Sequence, residues 1–218
     1  MGKLTRTDCV AGVVFCGLLT LVLLAWTPAV FAGAQVYEPL AASVQAALSR
    51  AISDRPPANS SFPDSGEAAQ WLNEMSRRLQ KKMPDRATRL DFLRTVHYEA
   101  TRAGLDPQLV LGLVQVESGF KKYAVSSAGA RGYMQVMPFW TKLIGQPGQN
   151  LFHLRINLRY GCTILRHYLD VEKGDLFRAL GRYNGSLGQP AYPDMVAATW
   201  RNVWAYPPLR AAVSRAPS

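Results

Sequence analysis

The sequence has few of the residues from which metal sites and disulfide frameworks are built. It contains three cysteines and three histidines in 218 residues. Cys9 and Cys16 lie in an apolar stretch near the amino terminus, so Cys162 is the single thiol in the rest of the chain. No intrachain disulfide can then form in the folded part, and no cysteine or histidine spacing is typical of a metal site. We therefore expect no metal and no cofactor, and we expect Cys162 to be a small buried apolar residue.

Dense clusters of one charge are also missing, although the chain as a whole is basic. Its net charge is +10 at pH 7 and its isoelectric point is near 9.8. Because the lysines and arginines are scattered, the sequence does not support binding to nucleic acid. The basic balance instead suits an anionic lipid surface or an acidic polymer such as the cell wall.

Long hydrophobic runs are confined to the amino terminus. Residues 1–34 have a basic start, an apolar run over 9–26, a break at Pro28, and small residues up to Ala34. This order is typical of an export signal that is cleaved near Ala34. The apolar run is also just long enough to span a bilayer, so an uncleaved membrane anchor is the alternative.

The composition after the signal divides the chain into a linker, a folded domain and a tail. Residues 35–65 are rich in Ala, Ser and Pro, which predicts a linker with room for one short helix over 39–52. Residues 66–206 carry the apolar periodicity of a folded domain. Residues 207–218 are a tail of polar and small side chains.

The folded domain has no convincing run of alternating strands and no internal repeat. Its apolar residues recur at helical spacing, which predicts a single, mainly α domain. The helices are expected over 67–82, 85–103, 107–118, 151–171, 176–183 and 192–204.

One of these helices ends in a candidate catalytic acid. Asp106 before Pro107 is a strong start signal, because Pro lacks a donor that would be unpaired at that position anyway. Residues 107–118 are apolar nearly all round, so this helix should be buried. Glu117 closes it and should be poorly solvated, which raises the pKa of a carboxyl group. An acid that keeps its proton near neutral pH suits general-acid catalysis, and a solvated helix-end carboxylate is the alternative.

Several short motifs accompany Glu117 in a fixed order. They are Glu117-Ser118, Ala124, Ser126, Gly129-Ala130, Gly132-Tyr133-Met134-Gln135, Met137-Pro138, Asn157-Leu158 with Gly161, and Ala179-Leu180 before Tyr183-Asn184. Together they resemble the soluble lytic transglycosylase family, whose catalytic domain is lysozyme-like and close to goose-type lysozyme. The resemblance covers about residues 85–204. It is specific because several motifs agree in order and spacing.

The sequence departs from the family pattern at three places. Tyr133 stands where the family usually has Leu, and Gly185-Ser186 replaces the usual Ala-Gly. Pro193 follows Tyr192 where Val is common, so Tyr192 matches the family's last motif only loosely. None of these changes removes a catalytic group, but they affect side chains expected to line the groove that binds the substrate.

The resemblance implies a reaction that uses one carboxyl group. Glu117 would donate its proton to the β-1,4 glycosidic oxygen between N-acetylmuramic acid and N-acetylglucosamine. It would then act as a base on the sixth-carbon hydroxyl of the muramic acid, which forms a 1,6-anhydro end. Ordinary glycosidases use two carboxylates at a fixed separation. The sequence offers no obvious second acid.

The resemblance also implies a set of substrate-binding side chains around Glu117. Tyr183 would donate a hydrogen bond to Glu117 and hold its orientation, with Asn184 nearby. The serines would bind substrate or orient local groups, and the Met-Gln pair would line the groove beside the cleaved bond. The complete predicted set is Ser118, Ser126, Met134, Gln135, Tyr183, Asn184 and Tyr192.

The predicted partner is the glycan strand of peptidoglycan, met in the periplasm after export. Membrane attachment is expected only if residues 1–34 stay uncleaved, which would anchor the protein in the inner membrane. Two alternatives to lytic transglycosylation remain open. One is a hydrolytic muramidase on the same fold, which needs a positioned water. The other is a non-catalytic peptidoglycan-binding component of an envelope or secretion assembly, against which an intact Glu117 argues.

Overall fold

A computed structural model describes residues 35–53 and 66–206 of the chain. The predicted signal segment 1–34, part of the predicted linker and the tail 207–218 lie outside the described residues. Among the helices in the described part, none is both long enough and apolar enough to cross a membrane.

The described residues form a mainly helical fold, as predicted. Within them, β structure is limited to two isolated antiparallel bridges, from Val125 to Arg131 and from Arg131 to Val136. The helices are α1 (Ala42–Ser53), α2 (Gly66–Leu79), α3 (Arg86–Arg102), α4 (Pro107–Ser118), α5 (Phe139–Ile144), α6 (Leu154–Val171), α7 (Leu176–Asn184), α8 (Ala191–Thr199) and a π-helical turn (Trp200–Trp204).

Three aspartates fix the starts of the helices that carry the motifs. Asp85 accepts a hydrogen bond from the backbone amide of Thr88 at the start of α3. Asp106 caps α4 and Asp175 caps α7 in the same way. A side-chain oxygen at this position satisfies a backbone donor that the helix itself leaves unpaired. The predicted starts of α4 and α7 at these caps are therefore confirmed.

Helix α4 lies at the centre of the fold. It packs against α3, α8 and the π-helical turn, and most of its residues are buried. Gly112 permits a close approach of the π-helical turn, because a Cβ there would lie 3.0 Å from the backbone nitrogen of Trp200. Gly119 ends the helix in the left-handed conformation with φ 57°. The prediction of a buried central helix is confirmed.

The helix predicted over 192–204 is present, but its geometry changes along its length. It is α-helical as α8 and continues without a break into the π-helical turn. The wider turn places Trp204 in the core, where its indole nitrogen donates to Gln115 Oε1 at 2.9 Å and its ring packs on Phe120. A single π turn of this kind changes the direction of the following side chains, which an apolar pattern does not reveal.

Residues 35–53, here called the strap, contain the short helix predicted over 39–52 as α1, but they pack on the rest of the fold, which a linker does not do. The strap begins extended, continues as α1, and packs on α5 and α6. Ile52 is buried in the core, and Glu38 forms an ion pair with Arg182 at 3.1 Å. The folded part of the chain thus includes residues 35–53 as well as 66–206. The Ala- and Ser-rich composition alone indicates a linker. The residues that hold the strap lie about 100 positions away, so the local composition does not reveal them.

Candidate active site

Glu117 lies at the carboxyl end of α4 with 5% of its surface exposed. The hydroxyl of Tyr192 donates a hydrogen bond to its Oε1 atom. Its Oε2 atom has no hydrogen-bond partner among the described residues. Burial raises the pKa of Glu117 to about 8, and the bond from Tyr192 offsets part of that rise. The predicted burial of Glu117 is therefore confirmed, and this burial is the cause of the raised pKa.

The two oxygens of Glu117 are chemically distinct in this arrangement. Oε1 already accepts the hydroxyl proton of Tyr192. Oε2 is then the oxygen that carries the acidic proton when the group is neutral. Within the described residues, no second carboxylate contributes to the pKa shift of Glu117. The site therefore offers one candidate general acid, held by an uncharged donor.

The prediction that Tyr183 donates to Glu117 is wrong. The Tyr183 hydroxyl donates instead to the backbone carbonyl of Met134 at 2.7 Å. Tyr192, the looser motif match, is the residue that holds Glu117, because α8 packs directly beside α4. Tyr183 is fully buried, and the nearby Glu117 adds to the effect of burial in raising the pKa of the Tyr183 phenol.

The loop between α4 and α5 is held from α6 by one buried side chain, Asn157. Its Oδ1 accepts from the Met134 amide at 2.8 Å, and its Nδ2 donates to the carbonyls of Arg131 and Leu151. Gly132, with φ 76°, lies so close that a Cβ would be 2.6 Å from Asn157 Nδ2. Asn157 belongs to a recognised motif but was not among the predicted site residues.

Three of the predicted substrate-binding side chains are engaged in the architecture of this loop. Ser118 is buried and donates to the carbonyl of Tyr133 at 2.8 Å. The Met134 side chain is fully buried against Gly161, where a Cβ would lie 2.3 Å from the Met134 sulfur. Gln135 is 2% exposed, and its side-chain amide donates to backbone carbonyls of the same loop. Binding of substrate by these residues stays a prediction.

The other predicted positions differ in exposure. Ser126 is partly exposed, and its hydroxyl accepts from the Ala130 amide at 3.1 Å. Asn184 ends α7 and is buried. Tyr133, the unusual residue of the motif, is also buried and packs on Phe92 with ring centroids 4.9 Å apart. Tyr133 therefore fills space between the loop and α3.

The single cysteine and the tryptophans named below are buried in the described part of the chain. Cys162 is a free thiol in the core, as predicted, and burial raises its pKa. No group of three His, Cys, Asp or Glu residues that could hold a metal ion occurs in the described part of the chain. The tryptophans Trp71, Trp140 and Trp204 are buried, which agrees with a packing role.

Comparisons with known proteins locate this site within a recognised domain. Residues 94–191 match the family model described as Transglycosylase SLT domain. A protein of Enterobacteria phage PRD1 named Transglycosylase is 36% identical over 100 residues, which make up 46% of this chain and 37% of that protein. Membrane-bound lytic murein transglycosylase C of Histophilus somni (strain 2336) is 37% identical over 113 residues, which cover 44% of this chain and 31% of the relative.

The similarity is confined to part of each protein. The chain spans 37% of the phage protein and 31% of the Histophilus protein. The family model includes Glu117, the loop that follows it, Asn157 and Tyr183, and it ends one residue before Tyr192. The strap lies outside the match.

Proposed function

We propose, on the premise that residues 94–191 of this chain are a transglycosylase SLT domain, that the protein is a peptidoglycan lytic transglycosylase. It would cleave the β-1,4 bond between N-acetylmuramic acid and N-acetylglucosamine and leave a 1,6-anhydromuramic acid end. The observation that carries this proposal is Glu117, a buried acid with a pKa of about 8 and one oxygen without a partner among the described residues.

Glu117 supplies the proton in the first step. At neutral pH its carboxyl group is mostly protonated, because its pKa lies above the pH. Oε2 donates to the glycosidic oxygen as the bond to the anomeric carbon breaks and the sugar passes through an oxocarbenium-like state. The bond from Tyr192 to Oε1 stabilises the carboxylate that this transfer leaves behind.

The same carboxylate serves as the base in the second step. It accepts the proton of the sixth-carbon hydroxyl of the muramic acid as that oxygen bonds to the anomeric carbon. The proton returns to Glu117, no water is consumed, and the enzyme is ready for another cycle. A single carboxyl group is enough for this sequence, whereas ordinary glycosidases use a pair. The surroundings of Glu117 fit the one-carboxylate reaction, since no second acid contributes to its pKa within the described residues.

We also propose roles in substrate binding, export and partner binding for other parts of the chain. Ser118, Ser126, Met134, Gln135, Tyr183, Asn184 and Tyr192 form the proposed substrate-binding set around Glu117. Residues 1–34 are proposed to direct export to the periplasm, where peptidoglycan is met, or to anchor the protein in the inner membrane if they stay uncleaved. An excess of basic residues suits the acidic groups of the cell wall. An envelope or secretion assembly is the proposed further partner.

Digestion of purified peptidoglycan tests the reaction. We expect mass spectrometry of the released muropeptides to show anhydro ends, which are about 18 Da lighter than reducing ends because no water is added. Reducing ends would assign the protein to hydrolysis instead. No release by the wild type would sink the catalytic assignment and favour a binding component.

Two variants make this test specific to Glu117. Glu117→Gln keeps the size of the side chain but cannot donate the proton, so it should release almost nothing. Glu74→Gln is the matched control, because Glu74 lies on α2 and pairs with Arg77 and Arg78 at the surface. Equal release by Glu117→Gln and Glu74→Gln would remove Glu117 from the mechanism.

A further inference from the structure

Gln35, the first described residue of the strap, reaches into the loop that follows Glu117. It is 4% exposed, although it stands at the start of an extended segment. Its Nε2 donates to the carbonyl of Gln135 at 3.2 Å. Its Oε1 accepts from the amide of Met137 at 3.2 Å and from the indole nitrogen of Trp140 at 3.1 Å. One carboxamide therefore joins three groups that lie about 100 residues further along the chain.

The backbone of residues 134–137 receives most of its other hydrogen bonds from within the family domain. These partners are Asn157 for the Met134 amide, Tyr183 for the Met134 carbonyl, Gly132 for the Gln135 amide, and Arg131 for both backbone groups of Val136. Two groups, the Gln135 carbonyl and the Met137 amide, are paired only with Gln35 among the described residues. A buried backbone group without a partner costs about 1–3 kcal/mol. Gln35 thus completes the hydrogen bonding of this segment.

Residues 134–137, whose hydrogen bonding Gln35 completes, have a strained backbone at Gln135. Gln135 has φ 47°, in the left-handed region that residues with a side chain rarely adopt. Such a conformation persists only where surrounding bonds hold it. Gln35 binds the carbonyl of this same residue and the amide two positions on. The preceding residue, Met134, is bonded through its carbonyl to Tyr183 beside Glu117.

The strap is attached to the domain at further points that do not involve Gln35. The Tyr37 ring packs edge-on against Phe139, with ring centroids 5.6 Å apart. Further along, Gln45 Nε2 donates to the carbonyl of Leu143 at 2.7 Å. The strap is therefore attached on both sides of Glu38, whose ion pair with Arg182 adds a third contact. Gln35 is the strap residue that bonds to the strained loop.

We infer that Gln35 is a positioning residue for the active site, and that the strap, which lies outside the family domain, acts on catalysis by fixing the backbone of residues 134–137. This inference deepens the proposed function and rests on it, because its rate measurement is cleavage of glycan strands. A second measurement, hydrogen exchange at the Met137 amide, does not depend on the reaction.

The first variant removes the three hydrogen bonds of Gln35 and keeps its length. Gln35→Met should lower kcat on soluble glycan strands about 10-fold, with KM changed less than twofold, because misplaced groups slow the chemical step. Gln45→Met is the matched control: it removes a side-chain bond from the same strap to a carbonyl on α5, and should leave kcat within twofold of the wild type. All rates are compared well below the melting temperature of each full-length protein.

The second variant, Gln35→Glu, tests whether the side chain at position 35 must donate a proton to the Gln135 carbonyl. In Gln35→Glu, an ionised oxygen would face the Gln135 carbonyl, and two acceptors repel. A protonated carboxyl group can donate there as the amide does. The kcat of Gln35→Glu divided by that of the wild type should therefore rise as the pH falls. A ratio that stays flat from pH 8 to pH 5 would contradict the inference.

Hydrogen exchange separates failure of this inference from failure of the proposed function. The Met137 amide should exchange slowly in the wild type and in Gln45→Met, and at least 10-fold faster in Gln35→Met. Unchanged protection in Gln35→Met overturns the inference whatever the activity. Equal kcat in Gln35→Met and Gln45→Met also overturns it. If the wild type releases no anhydro product, the proposed function is refuted. The exchange rate of the Met137 amide then tests by itself whether Gln35 fixes the backbone of residues 134–137.

Discussion

The fold contains two buried glutamates whose surroundings are opposite. Glu99 on α3 has no exposed surface, and its carboxylate receives bonds from Arg159 at 2.9 and 3.2 Å and from Arg102 at 3.1 Å. Glu117 is almost as deeply buried, but an uncharged hydroxyl from Tyr192 is the single donor it receives among the described residues. A buried carboxylate is stable where positive charges replace the lost hydration. Without them, the group keeps its proton.

Glu99 is a structural acid, whereas Glu117 is the proposed catalytic acid. Glu99 ties α3 to α6 through Arg159 and stays committed to that pair. Glu117 has a buried oxygen without a hydrogen-bond partner among the described residues, and its pKa is raised to about 8. Burial alone does not identify a catalytic acid, because both residues are buried. The charge of the partners distinguishes them.

The largest expected effect is on the rate when the chemical acid is replaced. Glu117→Gln should lower the rate of glycan cleavage about 10³-fold, because general acid–base catalysis contributes about 10²–10⁴. Its folding should be unimpaired, since Gln needs no charged partner in a buried site. The rate is measured on peptidoglycan, and the fold is checked by circular dichroism. A variant with more than a tenth of the wild-type rate would place the proton donor elsewhere.

Replacing the structural acid should have the reverse outcome. Glu99→Gln leaves the buried Arg159 without its counter-charge, so we expect the free energy of unfolding to fall by about 3 kcal/mol. The rate at a temperature where the variant is folded should stay within a few-fold of the wild type. Urea denaturation measures the first quantity and the cleavage assay measures the second. If Glu99→Gln lost rate without losing stability, Glu99 would have a role in the reaction and would not be a purely structural acid.

The pH dependence of stability sharpens the comparison further. The pKa of Glu117 is raised from 4.5 to about 8 in the folded state. Between these values the native state holds a proton that the unfolded state has lost, so the stability that this group contributes is full below pH 4.5 and is lost as the pH rises towards 8. Glu117→Gln cannot lose a proton. Its advantage in unfolding free energy over the wild type should therefore grow with pH, to about 3 kcal/mol at pH 7.

The measurement is a difference between two proteins, because other groups titrate in both. Urea denaturation of the wild type and of Glu117→Gln is compared at intervals from pH 4 to pH 9. The curves should meet near pH 4.5 and separate until about pH 8. Parallel curves over this range would mean that Glu117 titrates normally and is hydrated in the folded protein.

The sequence is sufficient to predict the parts of this site that depend on neighbouring residues. The cap at Asp106, the apolar pattern of α4 and the position of Glu117 at its end are local features, and the structure has all three. The partner of Glu117 is not local. Tyr192 lies 75 positions away, and its match to the family motif was looser than that of Tyr183.

The strap shows the same limit on a larger scale. Its composition resembles a linker, and its hydrogen bonds are made to residues about 100 positions away. Periodicity and capping report where a helix begins and which face is apolar. They do not report which helix packs beside which, and that packing decides the partners of Glu117 and Gln35.

The smallest expected effect on the rate comes from replacing Tyr192, which matches the family motif only loosely. Tyr192→Phe removes the hydrogen bond that stabilises the Glu117 carboxylate, so the pKa of Glu117 should rise further. The basic limb of the pH–rate profile should then move to higher pH, while the rate at neutral pH falls by about 10-fold or less because the acid is less well oriented. Tyr183→Phe is the matched control, since its hydroxyl bonds Met134 and not Glu117, and it should leave the basic limb in place. If Tyr183→Phe shifts the basic limb and Tyr192→Phe does not, Tyr183 is the tyrosine that lowers the pKa of Glu117. The packing of α8 beside α4 would then not determine that pKa.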